Sequence, residues 1–176
     1  VSHMGYILLG FSALNVISIS GAVASMAAHG VMSALFFAMI GHVYEKTHRR
    51  SVQELHGIAH QMPRAAVGFM LAGMASLGLP GLMGFVPEFT IFVGSFGTYP
   101  ALAVLAISGI IFTALYVLRL LANVLFGPRD KQLDSYGDIR GAELMPLLLL
   151  GTVLVGAGIF PQVLLGSIAT AVEPLQ

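Results

Sequence analysis

Long apolar runs alternate along the chain with two polar stretches, at residues 45–63 and 127–142. The apolar runs predict membrane helices at residues 1–18, 20–44, 100–126 and 144–160. A helix of about 24 residues rises roughly 36 Å, which is enough to cross the hydrocarbon core of a bilayer. The remaining tail, residues 162–176, is mildly amphipathic and is expected to lie along the membrane surface.

Residues 64–98 are also apolar, but they cannot form one uninterrupted helix. Pro80 and Pro87 each lack a backbone N–H group and clash with the preceding turn, and the glycines around them ease a break. Glu88 directly follows the second proline, and three phenylalanines lie close to it in sequence. A carboxyl group beside a broken helix is costly in lipid, so such features are typical of functional sites.

Composition supports a membrane protein of the all-α class, a polytopic helix bundle. The chain is 57% hydrophobic and 9% charged, with a mean hydropathy of +0.90, whereas soluble domains carry about 25% charged residues. The formal net charge of zero suggests no nucleic-acid partner. The absence of cysteine excludes disulfides, thiolate metal sites and iron–sulfur clusters held by this chain.

The placement of basic residues predicts the topology. Seven of the eight Lys and Arg residues lie in or next to the two polar stretches. Basic residues favour the cytoplasmic side of a membrane. Both loops, 45–63 and 127–142, can be cytoplasmic only if residues 64–98 cross the membrane once. We therefore predict about five membrane segments with the third one discontinuous, in a multi-pass protein of the cell (inner) membrane.

The candidate site residues are His3, His29 and Glu88, which lie inside or at the edge of predicted membrane segments. An imidazole titrates near neutral pH, and a carboxyl group within lipid is expected to exchange protons with its neighbours. Structural alternatives remain open for each residue. Glu88 suits the first turn of a helix that begins near Pro87, and His29 suits an interhelical hydrogen bond.

Other polar residues are expected to be peripheral. Four histidines lie at or beyond helix ends: His42, His48, His56 and His60. The last two, with Glu54 nearby, have the only metal-like spacing, but we expect no metal site there. Arg119 can extend its side chain to the interface, and pairing with an acid of a partner subunit is the alternative.

Four motifs now combine into a family resemblance: VSHMG (1–5), AAHG (27–30), VYEKTHRRSVQELHGIAHQMP (43–63) and LGLPGLMGFVPEFTIFVGSF (77–96). In order and spacing they resemble the antiporter-like, proton-pumping membrane subunits of respiratory complex I. The resemblance runs from Val1 to about Phe126. It is greatest to subunit M, also called chain 4, because Glu88 stands where the sister subunits L and N usually carry lysine. Pro87 departs from the Gly or Ala more usual in the family.

The resemblance implies a fold of two inverted repeats, each with one broken helix. Residues 1–176 would form a single transmembrane domain from the end of the second repeat and the closing helices, as the C-terminal part of a longer subunit. It also implies that His3 and His29 belong to a central polar axis. The family's key glutamate and lysines would lie upstream, so the fragment alone is not expected to pump.

The implied function is proton translocation coupled to quinone reduction elsewhere in an NADH-quinone oxidoreductase, with protons passing from His29 toward Glu88. This non-redox chain would hold no cofactor; the quinone, FMN and iron–sulfur clusters are expected on other subunits. The implied partners are neighbouring antiporter-like membrane subunits and the lipid bilayer. The alternatives are a subunit of a multisubunit sodium/proton antiporter or of a membrane-bound hydrogenase, and a non-pumping scaffold.

Overall fold

The computed structural model describes residues 1–129, 133 and 135–172, which form helices joined by loops. The α-helices in chain order are α1 (Ser2–Ser12), α2 (Val16–Thr47), α3 (Ile58–Gln61), α4 (Pro63–Ser76), α5 (Phe85–Phe96), α6 (Pro100–Phe126), α7 (Met145–Ile159) and α8 (Gln162–Val172). A 3-10 turn at Gly141–Leu144 leads into α7. Three stretches are long and apolar enough to cross a membrane: Val16–Thr47, Pro100–Phe126 and Gly141–Ile159.

Helix α2 is the axis of the bundle, because α1, α4, α5, α7 and α8 all pack against it. Its first turn is capped by Asn15, whose side chain accepts a hydrogen bond from the Ser18 N–H at 2.9 Å. Leu14 precedes the cap with a φ of 50°. The expected boundary near residue 18 is therefore wrong: α1 ends at Ser12, and α2 is longer than the predicted 20–44.

The broken segment crosses the bundle once, as charge placement predicted. Helix α4 packs against the C-terminal half of α2, where Gly68 lies against the Met39 side chain. Helix α5 continues along the N-terminal half of α2, where a Cβ atom on Gly94 would lie 2.6 Å from the Ser18 nitrogen. The two half-helices thus run in one direction, antiparallel to α2.

The break itself, residues 77–84, is held by helix α7. Gly78 and Gly81 adopt φ values of +65° and +92°, which favour glycine. The Met83 N–H donates to the Leu154 carbonyl of α7 at 2.9 Å. Gly158 lies against the Gly81 carbonyl, so the backbones of the break and of α7 are in contact.

The tail of the chain, expected to lie along the membrane surface, forms a helix that packs on the bundle. Helix α7 ends close to the predicted residue 160, and the chain resumes as α8 after Pro161. Helix α8 packs against α2, and Val172 is buried. The last part of the predicted tail, residues 173–176, lies outside the described residues.

Both polar stretches lie at the same end of the bundle. Lys46 donates to the Glu143 carboxylate at 2.9 Å and to the Gly137 and Asp138 carbonyls. Asp138 in turn accepts the backbone N–H of Arg64 at 2.8 Å. The first polar loop is shorter than predicted, because α2 continues to Thr47 and α4 begins at Pro63.

Candidate functional site

His3, His29 and Glu88 lie on three different helices, α1, α2 and α5, and come together between them. Glu88 is buried, and the two histidines are half-buried. The His3 and His29 rings are 5.2 Å apart between centroids, tilted by 37°. Nε2 of His3 lies 3.5 Å from Oε1 of Glu88. His3 therefore contacts both of the other residues, and the three side chains form a continuous line across the helices.

The helix break provides a partner for His3. The last carbonyls of a helix lack intrahelical partners, and at the end of α4 the Gly73, Met74 and Ala75 carbonyls accept hydrogen bonds from the chain that follows. The Ser76 carbonyl instead lies 3.1 Å from Nε2 of His3. Because a carbonyl can only accept, Nε2 carries the hydrogen in this arrangement. The break thus fixes the position and tautomer of the ring.

Glu88 is buried, with a residue exposure of 6%, although it is an ionisable group. It lies in the first turn of α5, where the helix N-terminus favours a negative charge. Gly78 makes room for the carboxyl group, because a Cβ atom there would lie 2.8 Å from Oε2. The position of the Glu88 carboxyl group therefore depends on Gly78, at the start of the break.

His29 lies near the middle of α2, which runs from Val16 to Thr47. Its Nε2 lies 3.5 Å from the Ser33 hydroxyl, one turn along the same helix. Its Nδ1 is buried and has no hydrogen-bond partner among the described residues. The structural alternative for His29 was a hydrogen bond to another helix. Among the described residues, the ring instead approaches Ser33 of its own helix.

Two aromatic side chains, Tyr6 and Phe92, lie beside the line formed by His29, His3 and Glu88. Tyr6, one turn after His3 on α1, meets the His3 ring edge-on at 6.4 Å and the Phe92 ring at 5.3 Å. The Tyr6 hydroxyl is buried without a hydrogen-bond partner in the described part of the chain. Gly109 of α6 faces this hydroxyl, since a Cβ atom there would lie 3.0 Å from it.

Glu88 also lines a cavity of about 490 Å³ between α5 and α6. Its walls are mostly apolar: Leu77, Phe85, Phe89, Phe92, Val93, Phe96, Ile107 and Ile110. Gly78 completes the lining at the break. The carboxyl group thus stands between the histidines on one side and an apolar cavity on the other.

The family model described as NADH:quinone oxidoreductase/Mrp antiporter, TM, matches residues 1–113. These residues include α1 to α5 and all three candidate side chains. The chain belongs to this family.

Named relatives within the family are proteins called NAD(P)H-quinone oxidoreductase chain 4. One from Synechococcus sp. (strain JA-2-3B'a(2-13)) is 40% identical over 172 residues, which cover 92% of this chain and 33% of that protein. One from Acaryochloris marina is 34% identical over 93% of this chain and 33% of that protein. The chain therefore spans about a third of the length of these relatives.

Solved structures of the family have the same fold. A chain of respiratory complex I from Thermus thermophilus with bound NADH matches with a TM-score of 0.88 and 30% identity, over 96% of this chain and 36% of that one. A chain of the Mrp complex from Dietzia sp. DQ12-45-1b matches with a TM-score of 0.86 and 23% identity, over 96% of this chain and 40% of that one.

The remaining polar residues considered from the sequence lie away from the line. His56 approaches the Asn123 carbonyl at 3.5 Å at the polar end of the bundle, and His48 lies against the Tyr44 ring. Arg119 is exposed on α6. Within the described residues, no group of three His, Asp or Glu side chains has a metal-binding arrangement.

Sequence reasoning missed several residues that complete the site. The Ser76 carbonyl, Gly78 and Tyr6 all contact one of the three ionisable residues. Only Gly78 carried a signal, as a glycine within the predicted break. The Ser76 carbonyl could have been found from the end of the first half-helix, because the last carbonyls there need partners.

Proposed function

We propose that the chain is part of a proton-translocating membrane subunit of an NAD(P)H-quinone oxidoreductase of the complex I type, and that His29, His3 and Glu88 carry the protons. One observation carries this proposal: His3 contacts both His29 and Glu88 within the helix bundle, where Glu88 is buried. Ionisable residues in such a place are costly, and in membrane proteins they mark proton and ion pathways. The names of the relatives support the oxidoreductase assignment.

The depth of the line suits proton transfer across the membrane. Helix α4 has 14 residues, so it rises roughly 21 Å from the polar end of the bundle to Ser76. With the start of α4 at the membrane surface, this rise would bring His3 and Glu88 inside the hydrocarbon core, which is about 30 Å thick. The basic residues of the loops favour the cytoplasmic side for the polar end of the bundle. A proton from that side would reach Glu88 through the histidines, and the other approach to Glu88 is from the opposite side of the membrane.

His3 takes the central position in the proposed path. The sequence suggested transfer from His29 toward Glu88, and the contacts made by His3 refine this to His29, His3 and then Glu88. Nε2 of His3 donates its hydrogen to the Ser76 carbonyl, and the same atom faces Oε1 of Glu88. When Nδ1 takes up a proton from the His29 side, the ring becomes an imidazolium. A small displacement then passes the Nε2 hydrogen to the carboxylate, which leaves a neutral ring protonated on Nδ1; the ring must turn or exchange this proton before the next transfer.

The His29 end of the path is where protons enter in this proposal. Its buried Nδ1 needs a second hydrogen-bonding group for the ring to relay a proton, since Nε2 is beside Ser33. Water or a residue of the neighbouring repeat would supply that group. Each proton moved outward works against about 2.3 kcal/mol per 100 mV of membrane potential. Redox chemistry on other subunits, with quinone, flavin and iron–sulfur centres, would provide this energy, and this chain would be a non-redox subunit.

The test is Glu88→Gln in the intact oxidoreductase complex, reconstituted in proteoliposomes. We expect the number of protons translocated per electron to fall and quinone reduction to slow with it, because the steps are coupled. Glu54→Gln is the matched control, since Glu54 is an exposed acid on the polar loop. Unchanged pumping and unchanged electron transfer in Glu88→Gln would contradict the proposal. His29→Ala tests the entry of the path separately.

A cation/proton antiporter is the second candidate, because the fold is also that of the Mrp complex chain. That likeness is at 23% identity and concerns the fold alone. Sodium dependence distinguishes the two candidates: an antiporter exchanges sodium for protons without electron transfer, whereas the proposed subunit moves protons only during quinone reduction. Full pumping in the double variant His29→Ala and Glu88→Gln would instead favour a scaffold role.

A further inference from the structure

A second cavity lies between α2 and α6 at the polar end of the bundle. It has a volume of about 490 Å³. Most of its walls are apolar: Phe36, Phe37, Ile40, Gly41, Val43, Val52, Leu55, Phe69, Leu120, Leu121, Val124 and Leu125. From Phe36 to Tyr44 the cavity follows α2 for about 12 Å, two turns or slightly more. We call this feature the α2–α6 groove.

The mouth of the groove is basic. Arg49, Arg50 and Tyr44 line its polar end. The Arg50 guanidinium lies over the Tyr44 ring, with its central carbon 4.3 Å from the ring centroid. This cation–π contact holds the guanidinium at the mouth of the groove, and its N–H groups remain donors for an anionic partner. Among the described residues, no acidic side chain lies within ion-pair distance of Arg50.

The second arginine supports the mouth of the groove. Nη1 of Arg49 donates to the Glu54 backbone carbonyl at 3.1 Å, which orders the loop beside the groove. The Glu54 carboxylate is exposed on that loop. Two guanidinium groups thus line the mouth next to the apolar walls, and Arg50 is the one held over the Tyr44 ring.

We propose that the α2–α6 groove binds an anionic phospholipid of the surrounding bilayer, with its phosphate at Arg50 and an acyl chain along α2. A planar guanidinium matches a phosphate group in two parallel hydrogen bonds. Basic pockets between membrane helices are known to bind anionic head groups, and aromatic residues at the interface mark that depth. The exposed walls, such as Phe37 at 72% exposure, match an acyl chain. This inference requires only that the chain lies in a membrane, and it does not rest on the proposed proton path.

The test uses the full-length subunit in its complex, in membranes of defined phosphatidylglycerol and phosphatidylcholine content. A photoreactive benzoylphenylalanine replaces Phe37, and the adducts are identified by mass spectrometry. The matched control carries the same group at Phe112, which is also 72% exposed but lies on α6 outside the groove. We expect phosphatidylglycerol adducts at position 37 to be enriched about five-fold over the bulk lipid ratio, the preference that one basic residue gives. Position 112 should follow the bulk ratio.

Two variants of Arg50 test whether the lipid enrichment depends on the basic mouth of the groove. Arg50→Gln should abolish the enrichment at position 37, whereas Arg50→Lys keeps the charge and should retain part of it. Retained quinone reductase activity in both variants shows that the complex is assembled. Adducts to a peptide of the same polypeptide or of another subunit would overturn the proposal, since the groove would then be filled by protein. Lipid adducts at the bulk ratio, unchanged by Arg50→Gln, would overturn it as well.

Discussion

Gly78, at the start of the helix break, lies against Glu88, in the first turn of the helix that follows the break: a Cβ atom on Gly78 would lie 2.8 Å from Oε2 of Glu88. The glycine has a φ of +65° and faces the carboxyl group across the turn. The loop conformation and the position of the acid are therefore linked, and a change at one residue acts on the other.

The first prediction concerns this contact. Gly78→Ala should push the Glu88 carboxyl group away from His3 and lower the number of protons translocated per electron in the intact complex. Gly81→Ala is the matched control, because Gly81 also has a positive φ, of +92°, but nothing lies within 4 Å of its Cβ position. Each alanine in a left-handed conformation costs about 1–2 kcal/mol, so both variants lose stability. A pumping loss of equal size in the two variants would show that strain, not contact, is responsible.

The second prediction concerns the central position of His3. Because His3 contacts both His29 and Glu88, His3→Ala should reduce proton translocation as strongly as Glu88→Gln. The double variant should be no worse than either single one, since groups that act in series are non-additive. Proton translocation is measured in proteoliposomes for the two single variants and the double variant. Additive losses would mean that His3 and Glu88 act on separate paths.

The helix breaks and several boundaries could be predicted from the sequence because they depend on local chemistry. Pro100 and Gly127 bracket α6, whose bounds were predicted as 100–126. Pro80 and the neighbouring glycines predicted the break. Asn15, by contrast, is a strong N-cap residue whose signal was missed, so the boundary between α1 and α2 was placed too late.

The assembly of the site could be expected from the family resemblance but not from local pattern. His3 and Glu88 are 85 positions apart in the chain, and their contact depends on how α1, α2 and α5 pack. The Ser76 carbonyl is a backbone group, so no residue type marks it. Gly94 allows α5 to approach α2 closely, but a glycine in a membrane helix does not reveal which helix it meets.

The third prediction uses that close approach. Gly94→Ala should destabilise the packing of α5 on α2, because its Cβ atom would lie 2.6 Å from the backbone nitrogen of Ser18. Overpacking of this kind costs about 1–3 kcal/mol. Gly97→Ala is the control at the end of the same helix, since nothing lies within 4 Å of its Cβ position. The midpoint of thermal unfolding of the purified complex should fall for the first variant alone; equal midpoints would contradict the packing described here.

The fourth prediction concerns Asp138, which caps a helix from a distant loop. Its carboxylate accepts the N–H groups of Arg64 at 2.8 Å and Ala65 at 3.4 Å, at the start of α4. Asp138→Ala should leave these donors without their partner and cost about 0.5–2 kcal/mol, the usual range for a lost helix cap. Since α4 ends at the Ser76 carbonyl beside His3, its loosening should also weaken coupling.

Thermal unfolding and protons per electron, measured on the same Asp138→Ala preparation, check both parts of this prediction. Glu45→Gln is the control, because Glu45 is an exposed acid at the same polar end of the bundle. Asp138→Asn keeps one acceptor oxygen and should fall between the wild type and the alanine variant. If Asp138→Ala and Glu45→Gln behave alike in both measurements, the cap does not stabilise α4. If stability falls while coupling is kept, α4 is held at the Ser76 end by its packing on α2, α6 and α7.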